Sequence, residues 1–173
     1  MNKFILTLVC GMSIMAALMC GCKSGSERSS KTANSLRTPE EVVKAFCDLD
    51  GEGKRLSSLT WPEVLPYIAW KDEAGWDMVI VISGYRLTGV ESTKSDSHVT
   101  VEYSVIGESS RDFALLKSVE KVKFNLRKTG KGWKIESPDS LMPHVLAKPL
   151  IAHFEEDNNH ALADKLREIS KEE

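Results

Sequence analysis

Cysteine is scarce in this chain, and the few present do not make a framework. Of the four in 173 residues, Cys10, Cys20 and Cys22 crowd the N-terminus and Cys47 stands alone in the body. The four histidines, His98, His144, His153 and His160, include no pair three to five residues apart, and Cys47 has no close ligand partner, which argues against a zinc site. Glycine-rich phosphate loops, a nucleophile elbow and kinase-like motifs are missing, so no catalytic, cofactor-binding or metal-binding residue is assigned and no cofactor is expected. A surplus of base is also missing. The formal net charge is -2, and polyanion recognition needs excess Lys and Arg to displace counterions, so no nucleic-acid partner is expected. No apolar run reaches the roughly 20 residues of a comfortable membrane span.

What is present begins with an oily leader. Met1-Asn2-Lys3 is a short cationic start, and Phe4 to Met19 is apolar except for Thr7, Gly11 and Ser13. A basic n-region followed by an apolar h-region that ends in small residues, with no stop-transfer charge cluster, predicts a cleaved signal peptide over residues 1–21. The end of the leader, Leu18-Met19-Cys20-Gly21-Cys22-Lys23, resembles the lipobox of bacterial lipoproteins. Cys22 fits best because Gly21 fills the small position before it; Cys20, preceded by Met19, is the alternative. The resemblance implies that Cys22 receives diacylglycerol and then an N-acyl chain (palmitate is the usual kind), and several chains together hold a protein at a bilayer. It places the protein in the cell envelope, with the membrane as partner. In a Gram-negative host, Lys23 resembles the outer-membrane type of sorting signal, on the periplasmic face. Ordinary secretion is the plain alternative. With Cys10 leaving in the leader and Cys22 lipidated, the resemblance leaves Cys47 alone and implies no structural disulfide; cleavage before Cys20 would leave Cys22 free to pair with Cys47.

Residues 22–37 then comprise the lipidated cysteine and a flexible linker. From Lys23 to Arg37 there are five serines and no aromatic residue, the composition of a solvated tether. A single domain follows over residues 38–173. Thr38-Pro39-Glu40-Glu41 is a helix start: hydroxyl cap, proline at the first helical position, glutamate closing a capping box. Val42, Val43, Phe46 and Leu49 make the apolar face, and Cys47, in that pattern, reads as a buried, inert thiol. Leu56, Leu59, Val64, Leu65 and Ile68 suggest short helices broken by Pro62 and Pro66. Met78 to Ile82 is a continuous apolar run followed by alternation at Tyr85 and Leu87, which predicts a long strand covered on both faces in its first half. Beyond a polar turn at 92–97, Val99, Val101, Tyr103 and Val105 alternate as an antiparallel partner. A loop is expected from Gly107 to about Ser118. Val122, Phe124 and Leu126 then mark a third strand, Thr129-Gly130-Lys131-Gly132 a turn, and Trp133 with Ile135 a fourth. Pro138 and Pro143 break the chain before C-terminal helices, the last amphipathic on Leu162, Leu166 and Ile169.

The expected fold class is α+β: N-terminal helices packed on a curved, about four-stranded antiparallel sheet, with an extra C-terminal helix. This element order, and the aromatic strand Gly132-Trp133-Lys134-Ile135 after a turn, resemble the NTF2-like or cystatin-like cone-shaped domains. The resemblance spans roughly Thr38 to Ser137 and implies a pocket between helix and sheet. The candidate ligand pocket is Trp70, Asp72, Glu73 and Trp76, with Tyr85 and Tyr103 projecting hydroxyls beside His98. Indoles offer contact area, and the carboxylates favour a cationic or hydroxylated ligand. Equally, the indoles are core or lid residues and the acids solvated loop charges. No tyrosine–aspartate pair at matched strand positions carries over from the family's enzymes. Lys121, Lys123 and Arg127, with Lys128, Lys131 and Lys134 nearby, form a basic stripe that either meets anionic headgroups or is a solvated sheet face.

Taken together, these features predict a lipid-anchored envelope protein acting as a non-catalytic binding or interaction module. The alternatives are an NTF2-like pocket enzyme acting on a small molecule and an accessory subunit docking a protein partner through its C-terminal helix.

Overall fold

The reciprocal cap at Thr38 sets where the folded chain starts its first helix. In the computed structural model, which describes residues 37–71 and 76–171, the Glu41 amide donates to Thr38 Oγ1 (3.3 Å) and the Thr38 amide donates to Glu41 Oε2 (2.9 Å). With Pro39 at its first position, helix α1 runs Pro39–Gly51. The leader, Cys20, Cys22, the linker up to residue 36, and Asp72 and Glu73 lie outside the described residues. After α1 come two single 3₁₀ turns, Lys54–Leu56 and Trp61–Glu63, entered through Gly53 at φ 75°. The predicted short helices at 56–68 are thus no more than these turns, and Leu59, counted among their apolar residues, is 89% exposed.

Five strands follow: β1 Val79–Ser92, β2 Asp96–Ser109, β3 Phe113–Thr129, β4 Gly132–Ser137 and β5 His144–Leu146. They make one curled sheet in the order β4-β3-β2-β1-β5. Helices α2 Ala147–Glu156 and α3 His160–Ser170 complete the α+β fold. The sheet is mixed and not all antiparallel: β5 pairs parallel with β1, Ile80 opposite His144 and Ile82 opposite Leu146. With only three residues, bounded by prolines, β5 is too short for any alternation to announce it. The expected loop at 107–118 is also corrected. β2 continues through a bulge at Ile106 to Ser109, and β3 begins at Phe113, leaving a turn at 110–112. Gly107 permits this because a Cβ there would sit 2.3 Å from the Ala114 carbonyl oxygen and 2.5 Å from the Phe113 ring.

Two cores form because β1 and β2 carry apolar side chains on both faces. Val42, Val43, Phe46 and Cys47 of α1 pack on the face bearing Ile80, Ile82, Val101, Tyr103, Phe124 and Ile135. The opposite face, Val79, Val81, Ile106, Phe113 and Val145, is covered by Leu150 of α2 and by Leu162 and Leu166 of α3. Each fully buried aliphatic or Phe side chain contributes roughly 1.5–3 kcal/mol, so both layers are needed to offset the ordering of long strands. The predicted 162/166/169 stripe is therefore internal: Leu162 and Leu166 are buried, and Ile169 packs against the same cluster. Beyond Phe113, β3 has β4 beside it only from Asn125 onward, so its outer edge through residues 114–124 carries no strand among the described residues. Leu115, Leu116 and Val119 are exposed there.

Candidate functional site

Asp50 lies one turn past Phe46 on the apolar stripe of α1, and a carboxylate in that position must find a partner or stay protonated. Its partner is Arg55, brought back under the helix end by the Gly53 turn. Arg55 Nη1 donates to Asp50 Oδ2 at 3.3 Å, and both side chains are 1% exposed. The His144 amide donates to the same carboxylate oxygen (3.0 Å), and Arg55 Nη2 donates to the Leu141 carbonyl (2.6 Å). The guanidinium is held between the rings of Phe46 and Trp76, at 5.5 and 5.0 Å from their centroids. Burial pushes the Asp50 carboxyl above its ordinary value, opposed by Arg55 and by His144.

Next to this pair, the His144 ring stacks on Tyr103 at 4.1 Å. Its Nδ1 faces the Met142 carbonyl (2.9 Å) and its Nε2 faces Glu120 Oε2 (3.2 Å). A carbonyl only accepts, so Nδ1 is the donor of that contact. Tyr103 is buried and its hydroxyl meets Cys47 Sγ at 3.2 Å. Burial pushes the Cys47 thiol up to about 12 and drives Tyr103 upward as well, so the sulfur stays a protonated, unreactive filler. Cys47 thus sits where its apolar context placed it.

Of the six residues read as a ligand pocket, Asp72 and Glu73 lie outside the described residues, and the other four have these surroundings. Trp70 meets the edge of Phe46 (6.4 Å) and borders a shallow groove with Lys71, Lys131 and Lys134, whereas Trp76 lies over Arg55. Tyr85 stands opposite Tyr103, rings 6.1 Å apart, and donates to Asp48 Oδ1 (2.5 Å); burial and that carboxylate drive its hydroxyl pKa upward. His98 falls on the other face of β2 from Tyr103 and pairs with Asn125 (2.6 Å). Lys121, Lys123 and Arg127 of the basic stripe are matched by acids across the strands. Lys121 and Arg86 both reach Glu102, Lys123 faces Glu91, and Arg127 faces Asp96 and Glu136. Among the described residues, no group of three or more His, Cys, Asp or Glu side chains is placed to hold a metal, and no helix is long and apolar enough to cross a membrane.

The concavity with convergent polar atoms lies elsewhere. A cavity of about 190 Å³ opens where the 3₁₀ turn at Arg55, the end of β2 and helix α2 meet. Arg55, Trp76, Ser109 and His153 line it, with Val79, Leu150 and Phe154 as its apolar wall. Arg55 Nε, Trp76 Nε1 and Ser109 Oγ are buried without a hydrogen-bond partner among the described residues. No protein-family model matches this chain, and no curated protein or solved structure matches it either. Arg55 and Ser109 were not singled out in the sequence, and His153 was weighed there only among histidines without metal-ligand spacing. The available signal was Asp50, an acid on an apolar helical stripe, which required a buried cation nearby.

Proposed function

We propose that this chain is an exported lipoprotein, held at the cell envelope through acyl chains on Cys22, and that its domain is a non-catalytic binding module of NTF2-like or cystatin-like kind. The address rests on the leader and on Leu18-Met19-Cys20-Gly21-Cys22. One observation supports the binding function: a cavity lined by three residues whose buried donors have no partner among the described residues. The kinship is supported by a capped helix lying on a curled sheet of long strands.

The pocket-enzyme alternative has less behind it. Tyr103 fills the core, Cys47 is protonated, and Asp50 is bound by Arg55, so none of these presents a reactive atom to the cavity. Docking through the C-terminal helix loses its motive because Leu162 and Leu166 are buried. A protein-binding role is instead favoured at the outer edge of β3, where Leu115, Leu116 and Val119 are exposed and no strand lies alongside among the described residues. For the anchor, the full chain expressed in a bacterium with a palmitate analogue should be labelled and recovered with membranes. Cys22→Ala should lose both properties and Cys20→Ala should keep them; equal labelling of wild type and Cys22→Ala rejects the assignment.

A further inference from the structure

Three residues bordering one cavity each carry a buried polar hydrogen with no partner among the described residues: a guanidinium N–H and an indole N–H, which only donate, and a hydroxyl, which can donate as well as accept. Arg55 and Ser109 are 1% and 3% exposed, so bulk water does not reach them freely, and a buried donor left without an acceptor is costly. The indole N–H and guanidinium N–H can only donate, so whatever satisfies this set must accept. A lone carbonyl oxygen has two acceptor positions, whereas a carboxylate has about four, enough for all three donors. Arg55 Nε adds a charge-assisted bond, for which an anionic oxygen is the stronger acceptor. The opposite wall is apolar. An apolar cavity of about 150 Å³ accommodates benzene, so about 190 Å³ takes a body of five or so carbons with its head group.

We propose that this cavity binds a small carboxylate with a short apolar body, its oxygens accepting from Arg55 Nε, Trp76 Nε1 and Ser109 Oγ. The carbon skeleton rests on Val79, Leu150 and Phe154. The other ionisable groups facing the cavity are His153, whose Nε2 lies 3.5 Å from Asp157, and Asp77, which is exposed at the rim and opposes an anion only through solvent. The inference rests on reading the domain as a binding module and is independent of the anchor.

The test uses the full chain in mild detergent with 5-fluorotryptophan at its four tryptophan positions, the Trp76 signal being assigned with Trp76→Phe. Isovalerate should shift the Trp76 fluorine signal saturably at millimolar concentration or below, and its neutral isostere isovaleramide should bind about tenfold more weakly. Ser109→Ala should weaken isovalerate binding about tenfold while the fluorine spectrum and melting temperature stay at or above those of the wild type, because a buried unsatisfied hydroxyl is removed. Asp77→Asn should tighten isovalerate binding and leave isovaleramide unchanged. A Trp76 signal that neither probe moves, that both move equally, or that responds identically in Ser109→Ala overturns the proposal. A labelled, membrane-bound protein with a silent Trp76 would lose the cavity assignment alone. An unlabelled protein that still binds isovalerate would lose the anchor alone.

Discussion

Replacing Arg55 with Met removes the cation from a carboxylate that has no route to water. Asp50 would keep only the His144 amide at Oδ2, with Oδ1 unpartnered as it already is. Breaking a buried ion pair on one side costs about 3–5 kcal/mol, and Met fills the space between Phe46 and Trp76 too well for a void to be the main cause. The loss should depend on pH. Asp50 is already raised by burial, and without Arg55 its folded-state pKa rises further, while in the unfolded chain it stays near 3.9. Below about pH 4 both states hold the proton and the penalty is smallest. As pH rises from there towards the elevated folded value, the unfolded state ionises first and stability falls. Urea unfolding at pH 4, 5 and 7 should therefore show Arg55→Met losing most at pH 7 and least at pH 4, relative to wild type. Adding Asp50→Leu should recover much of the loss, short by about 1–3 kcal/mol for the His144 amide left without an acceptor. A loss under about 1 kcal/mol at pH 7, or one equal at every pH, refutes the buried pair as an electrostatic unit.

Two further outcomes test the packing. Gly107→Ala places a methyl against the Ala114 carbonyl and the Phe113 ring and should cost at least about 1–3 kcal/mol in urea unfolding, whereas Gly130→Ala, with nothing near its Cβ, should cost under about 1 kcal/mol. Cys47, 1% exposed with its thiol raised to about 12, should react with a maleimide only as fast as the domain opens, so its labelling rate should rise with urea in step with unfolding; prompt labelling in native buffer contradicts its burial.

How far the sequence spoke depended on how locally each element is specified. Helix α1 was legible because Thr38, Pro39 and Glu41 are a complete start signal within four positions. The β1–β2 hairpin was legible because Val79–Ile82 is covered on two faces and Tyr85 and Leu87 pack on one, so the change from continuous to alternating apolarity tracks the layers. Where neither face of a strand is buried there is no period to read. Ala114 to Val119 of β3 is exposed throughout, which is why a loop was expected in place of strand. The parallel strand β5 is specified by distant partners, Ile80 and Ile82, and not by its own three residues. Trp70 and Trp76, close in sequence, end in different surroundings because Phe46 receives one indole and Arg55 the other. The cavity required the end of β2, a 3₁₀ turn and α2 to be placed before Ser109, Arg55 and His153 could be seen together.

That dependence says something about the domain's economy of interactions. Arg55 joins the end of α1 through Asp50, the approach to β5 through Leu141, and two aromatic rings, yet its Nε N–H has no partner among the described residues. A buried ion pair by itself is a weak stabiliser, and a well-packed apolar pair in its place is often as good or better. What an apolar pair cannot do is present a donor to a cavity while anchoring the helix end. The same guanidinium therefore sits in two ledgers, fold and cavity, and any acceptor bound at Nε adds its binding free energy to the stability of the native state by mass action. On the proposed reading, an acceptor at Nε would couple binding to folding through one residue's geometry, without any moving part.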